Sequence, residues 1–121
     1  LSFKYLLAKS CKNHKEPDSD ATLFGHIRKV VDAVEVIFNN LQTDLVKFCN
    51  DDIDAYIWRE GLIAVAAFHD IGKANDHFQL ALRKPACKQG IRHESLGFVL
   101  LNNAFAEFWQ RYPSWFKFAV L

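Results

Sequence analysis

With 121 residues, half of them hydrophobic, the chain has the length of one domain with a single core. A formal net charge of +1 excludes the broad basic field of a non-specific nucleic-acid binder, so a polyanionic substrate would need a local site. Cys11, Cys49 and Cys87 are odd in number, widely spaced and without a CxxC pair, which argues against a disulfide framework or a thiolate zinc site and makes a reducing cytoplasm the expected compartment.

No run reaches the roughly 18 apolar residues of a membrane span, and no charged-then-apolar leader opens the chain. There is no methionine, and the segment Trp115-Phe116-Lys117-Phe118-Ala119-Val120-Leu121 is strongly apolar. Such a patch is rarely offered to water, and the natural protein is expected to continue.

In chain order, residues 1–21 read as an irregular lead-in. Leu1 to Ala8 is apolar enough to dock on a core, and Ser10 to Asp20, with Pro17, reads as an exposed loop. From Thr22 to Asn40 the pattern is helical. Leu23, Ile27, Val30, Val34 and Ile37 follow the 3.6-residue period, Phe24, Val31 and Phe38 widen the stripe, and Asn39-Asn40 suits an end. A shorter helix at about 41–50 follows, using Leu41, Leu45, Val46, Phe48 and Cys49. Asp51-Asp52 then offers a cap to a long apolar helix at about 53–70, which Gly72 would end with positive φ.

Asn75 to Arg83 predicts a short amphipathic helix, and Lys84 to Gly90 a loop. Arg92 to Tyr112 predicts one strong helix with Leu96, Val99, Leu100, Ala104 and Phe108 on its apolar side. Pro113 breaks it, and Ser114 caps a last helix. Strand alternation, repeats and low-complexity tracts do not stand out. The expected class is all-α, a compact helical bundle.

The chemistry concentrates where the apolar run Ile63-Ala64-Val65-Ala66-Ala67-Phe68 meets His69-Asp70-Ile71-Gly72-Lys73. A helix apolar nearly all round is buried, so its end carries His69 and Asp70 inward, where an unpaired carboxylate is costly. A metal ion would satisfy both. Neighbours on a regular helix point about 100° apart, so joint ligation is easiest where the helix stops. Lys73 could overhang the same spot and suits a phosphate.

His26, at the margin of its helix's stripe, and His93, in the first turn of its helix, are the outlying candidates, since imidazoles from different helices can converge in a bundle. Glu94 adjoins His93 but should turn to another face and is not taken as a ligand. His14, in the polar loop, and His77, without an apolar face, read as surface residues. Phe105, Phe108, Trp109, Tyr112, Trp115 and Phe116 read as core. Imidazole plus carboxylate favours manganese, iron, cobalt, nickel or zinc over magnesium.

The His-Asp pair with outlying histidines resembles the HD-domain metal-dependent phosphohydrolases. More narrowly, the chain is similar to the HD nuclease domain of the CRISPR-associated helicase–nuclease of type I interference. The pieces that carry the likeness are Leu7-Ala8-Lys9-Ser10, Leu23 to His26, His69-Asp70-Ile71-Gly72-Lys73, Phe78-Gln79 and Arg92-His93-Glu94-Ser95.

The resemblance implies an HD-type helical bundle over residues 1–121, with 1–21 as lead-in and 22–121 as bundle. It implies one or two divalent transition-metal ions, with His26, His69 and Asp70 on the first. Asp70 would bridge to a second that His93 also serves, and Lys73 would lie close to the scissile phosphate. Single-stranded DNA is the implied substrate. The implied partners are a C-terminal helicase region, on the same or a separate chain, and an RNA-guided surveillance complex; no membrane is involved. The family's His-His pair and a later Asp would fall beyond Leu121, so this piece is expected to hold a partial ligand set, to bind metal weakly or at a single site, and to be inactive alone. Two other readings remain: an HD phosphohydrolase acting on nucleotides, and a non-catalytic HD-like module that docks a partner through its aromatic C-terminal face.

Overall fold

The computed structural model describes residues 4–48, 54–84, 86–88 and 90–120, the side chains at 46 and 48 excepted. Its α-helices are α1 (Leu23–Phe48), α2 (Ala55–Phe68), α3 (Asp76–Arg83), α4 (His93–Asn102), α5 (Ala106–Trp109) and α6 (Ser114–Phe118). Single 3-10 turns lie at Ser19–Ala21 and Ile71–Lys73. Among the described residues no strand forms beyond one isolated antiparallel bridge, Leu7 to Thr22. The fold is all-α, as the hydrophobic periods require. No helix among these residues is long and apolar enough to cross a membrane.

α1 lies along α2 and forms the long side of the bundle. It runs without a break through the stretch expected to separate two helices. Neither glycine nor proline interrupts it there, and Asn40, expected at a terminus, turns its Nδ2 back to the Val36 carbonyl at 2.9 Å. The expected stripe is only partly right. Leu23 and Phe38 are buried, but Phe24 and Ile37 face solvent.

α2 begins later than expected. Asp54 is its cap, accepting from the Tyr56 amide at 2.9 Å, and Asp51-Asp52 lie outside the described residues, as does Cys49. The helix is less enclosed than its composition suggests: Gly61, Ala64 and Ala66 are buried, whereas Tyr56 is largely exposed.

Gly61 admits the Phe116 ring so closely that a Cβ there would lie 2.6 Å from it. Around that contact sits the main core of Ala64, Leu101, Trp109, Phe116 and Val120, with Trp58, Leu62, Phe68, Phe105, Phe108 and Tyr112 packed against it. The aromatic cluster read as core is core, although Trp115 at its rim remains 41% exposed.

The single helix expected over 92–112 is instead two. Asn102 and Asn103 donate back to the Phe98 and Val99 carbonyls, the chain turns at 103–105, and Val99 and Ala104 face outward while Leu101 takes the core position. Pro113, not Ser114, is the residue before α6.

Candidate metal centre

α2 stops at Phe68. His69 is its C-cap, still near helical geometry, with its amide on the Val65 carbonyl at 2.9 Å. Asp70, at φ −113° and ψ 12°, leaves the helix and leads into the 3-10 turn. This stop lets adjacent side chains meet, which a continuing helix would forbid. His69 Nε2 lies 3.2 Å from Asp70 Oδ2.

Gly72 has a different task from the one expected. Helix α2 ends before it, its φ is not in the left-handed region, and a Cβ there would lie 1.8 Å from the His93 carbonyl oxygen. The missing side chain lets the N-terminus of α4 rest on the turn and brings His93 to Asp70.

From α1, one turn beyond Leu23, His26 Nε2 reaches Asp70 Oδ2 at 3.2 Å. The ligating atoms of His26, His69 and Asp70 all lie within 4.8 Å of one another. His93 stands outside that trio and faces the other carboxylate oxygen, with Nε2 3.8 Å from Asp70 Oδ1. Lys73, carried back by the turn, places Nζ 2.6 Å from Oδ2 and sits near the Phe78 ring. Its ammonium thus shares the oxygen that His26 and His69 face. Among the remaining histidines, His14 is half-buried in the lead-in and His77 is exposed on α3.

Asp70 is buried, which by itself would raise its carboxyl pKa, but the hydrogen bonds and charges of His69 and Lys73 outweigh burial and hold it well below the usual carboxylate range. His69 is pushed up, first by its bond to Asp70 and further by the Ala66 carbonyl, against the opposing effects of burial and Lys73. That carbonyl lies 2.6 Å from Nδ1. With Nδ1–H donating to it, the neutral ring turns the Nε2 lone pair on a carboxylate oxygen. Two lone-pair groups at that separation require a cation or a proton between them. The donor set therefore fits a divalent transition metal, and without one the carboxylate's pull on a proton at Nε2 is what raises the ring's pKa.

One residue that matters to this geometry was not singled out by periodicity. Gln79, fully buried on α3, accepts from the Leu7 amide at 2.8 Å and donates to the Leu7 carbonyl at 2.9 Å and the Lys73 carbonyl at 2.8 Å. Arg83 Nη1 donates to its Oε1 at 2.6 Å, while Nη2 reaches the Tyr5 carbonyl. One amide thus ties the lead-in to the turn that bears Lys73. Phe78-Gln79 and Leu7 both carry the family likeness, but nothing in the local pattern pairs them, because Leu7 lies 72 residues away.

Fold and donor set together define a helical domain built to hold a cation beside a buried aspartate. The chain belongs to the family of the Cas3 HD domain, whose pattern matches residues 8–120. It is 34% identical over 99 residues to a Myxococcus xanthus (strain DK1622) protein carrying the name CRISPR-associated nuclease/helicase Cas3. The match covers 80% of this chain and 13% of that protein, so the chain spans a small part of its relative's length. No solved structure matches it significantly. As a member of this family the chain is an HD domain of the Cas3 type.

Proposed function

We propose that this chain supplies the metal-dependent DNA-cleaving site of a CRISPR interference nuclease acting on single-stranded DNA in the prokaryotic cytoplasm. A helicase region and an RNA-guided surveillance complex would be its working partners. The observation that carries this reading is the meeting of His26, His69 and Asp70 from α1, the end of α2 and the turn after it, with donor atoms within 4.8 Å.

In this reading His26, His69 and Asp70 hold the first ion, drawn from manganese, iron, cobalt, nickel or zinc. His93, facing the opposite carboxylate oxygen, would serve a second ion together with Asp70. A bound ion of this kind supplies Lewis acidity toward a phosphate oxygen and makes water a stronger nucleophile. The protein's part is to orient the imidazoles, exclude water around Asp70 and hold the Lys73 ammonium beside that carboxylate, where it would also face a bound phosphate. Three donors leave such an ion short of its usual four to six ligands. Such open positions admit the water and the phosphate oxygen that a catalytic site takes up.

Cobalt and zinc titrations of the chain test the site, and cleavage of single-stranded DNA by the longer protein tests the activity. Asp70→Asn should remove metal binding and cleavage together. Cleavage that survives in that variant would overturn the reading.

A further inference from the structure

A net charge of +1 leaves no broad basic field, so a strand that reaches Asp70 needs cations gathered close by. We propose that the loop between α3 and α4 gathers them, with Lys84, Lys88 and Arg92 forming a path for the phosphates of a DNA strand that ends on the His93 side of Asp70. The inference rests on the reading of that carboxylate as part of a DNA-cleaving centre.

Three observations carry it. The first is the distribution of charge. Between Asp76 and Glu94 the chain holds Arg83, Lys84, Lys88 and Arg92 and no acid, although cations and acids nearly balance overall, 15 against 14. The lead-in is unlike this, since its Lys9 and Lys12 line the same cavity as Glu16, Asp18 and Asp20.

The second is the course of the loop. Helix α3 has eight residues and is about 12 Å long. Beyond it the Cys87 amide donates to the Lys84 carbonyl at 2.8 Å, and Gly90 lies back beside His77, where a Cβ would come 3.8 Å from Nδ1. The loop thus returns along the helix it leaves. Lys84 stands at the far end, Lys88 on the way back and Arg92 directly before His93, whose Nε2 lies 3.8 Å from Asp70 Oδ1. A strand rising about 3.4 Å per nucleotide sets about three phosphates along that length.

The third is what else these cations do. Arg83 is spent inward, on Gln79 and the Tyr5 carbonyl. Lys84 and Lys88 are exposed and pair with no acid among the described residues. Arg92 meets Glu94 at 3.2 Å with its side chain 81% exposed, a surface pair of little worth that a phosphate can replace. Ile91, between Lys88 and Arg92, is 54% exposed and offers apolar surface to a base.

Binding of a short fluorescent oligothymidylate to the metal-free chain, read by anisotropy across a salt series, tests the path. Each phosphate neutralised on a single strand adds about 0.7 to the steepness of the log–log salt plot, so three contacts give a slope of about −2. Lys84→Ala with Lys88→Ala should flatten the slope to about −0.7 and weaken binding about twenty-five-fold at about 0.1 M salt. Arg92→Gln should weaken it about fivefold. Both lysines are exposed, so thermal unfolding should stay as in wild type. Lys12→Ala with Lys15→Ala, in the charge-balanced lead-in, should leave slope and affinity near wild type. Equal losses from the two lysine pairs, or no change in the Lys84 and Lys88 variant, would overturn the proposal. So would an oligoglutamate that competes as well as oligothymidylate, because that marks a site for an acidic protein segment. A chain that takes up no zinc but still binds the strand through these lysines would instead sink the cleavage reading, so the two failures are distinguishable.

Discussion

The middle of α2 and the turn after its C-terminal end sit in unlike surroundings. Near its middle, Gly61 and Ala64 meet rings: Phe116 packs on Trp58 at 5.4 Å and stacks on Trp115 at 3.9 Å. Two buried indole N–H groups there, of Trp58 and Trp109, have no partner. Past the last residue of α2, Phe68, which still packs on the rings of Phe105, Phe108 and Trp109, the contacts become directional. Asp70 meets His26, His69, His93 and Lys73, and Gln79 joins the lead-in to the turn through its amide. The aromatic region depends on filled volume and tolerates an idle donor. The polar region depends on angles and protonation, and tolerates neither a lost partner nor an added methyl group.

Substitutions should separate the two regions. The largest effect is expected from Phe116→Ala, which empties the centre of the aromatic cluster and should cost about 3–5 kcal/mol in thermal or denaturant unfolding. Zinc affinity of the folded fraction should remain unchanged. Gln79→Leu comes next, at about 2–3 kcal/mol, because the Leu7 and Lys73 backbone groups lose their partner. Unlike Phe116→Ala, it should also disturb metal binding by loosening the turn; calorimetry on the folded variant reads this directly.

A smaller effect of opposite sign is expected from Lys73→Met. Its ammonium competes with a metal for Asp70 Oδ2, so metal affinity should rise severalfold while DNA cleavage by the longer protein falls. An affinity that drops would show that the lysine supports the ion instead of opposing it. The smallest effect belongs to Trp58→Phe, expected at about 1 kcal/mol or less because its N–H makes no bond to lose.

Of the two regions, the polar one should carry the pH response. The folded pKa of Asp70 lies below its ordinary 3.8. Its stabilisation is therefore complete above that value and fades as pH falls below it, so the metal-free protein should weaken in strong acid. His69 has the opposite sign. Its folded pKa lies above 6.5, so its stabilisation is complete below 6.5 and fades as pH rises through the raised value. Metal affinity should climb over that same upper range, as the competing proton leaves. Unfolding curves across pH for wild type and Asp70→Asn check the first statement, and zinc titrations across pH check the second.

The contrast also explains what was legible in the sequence. Helices and the aromatic core follow from local spacing, so the class, α2, α3 and the Phe105–Phe116 cluster could be read directly. His69 and Asp70 stood out because polar residues end an apolar run. Boundaries failed where asparagine side chains bond back along a helix, as Asn40 does inside α1 and Asn102 and Asn103 do where α4 ends. The tasks of Gly72 and Gln79 were hidden for another reason. Each depends on what the fold brings next to it: the His93 carbonyl, and Leu7 from far along the chain. Periodicity carries no record of those meetings.

Anomalous diffraction from crystals of the chain grown with zinc locates the ion, and so tests most directly whether the end of α2 is a metal centre. The account predicts a peak about 2.0–2.2 Å from Nε2 of His26, Nε2 of His69 and a carboxylate oxygen of Asp70, with Lys73 withdrawn from that oxygen. Crystals saturated with zinc that show no peak there, with Lys73 still paired to Asp70, would contradict it.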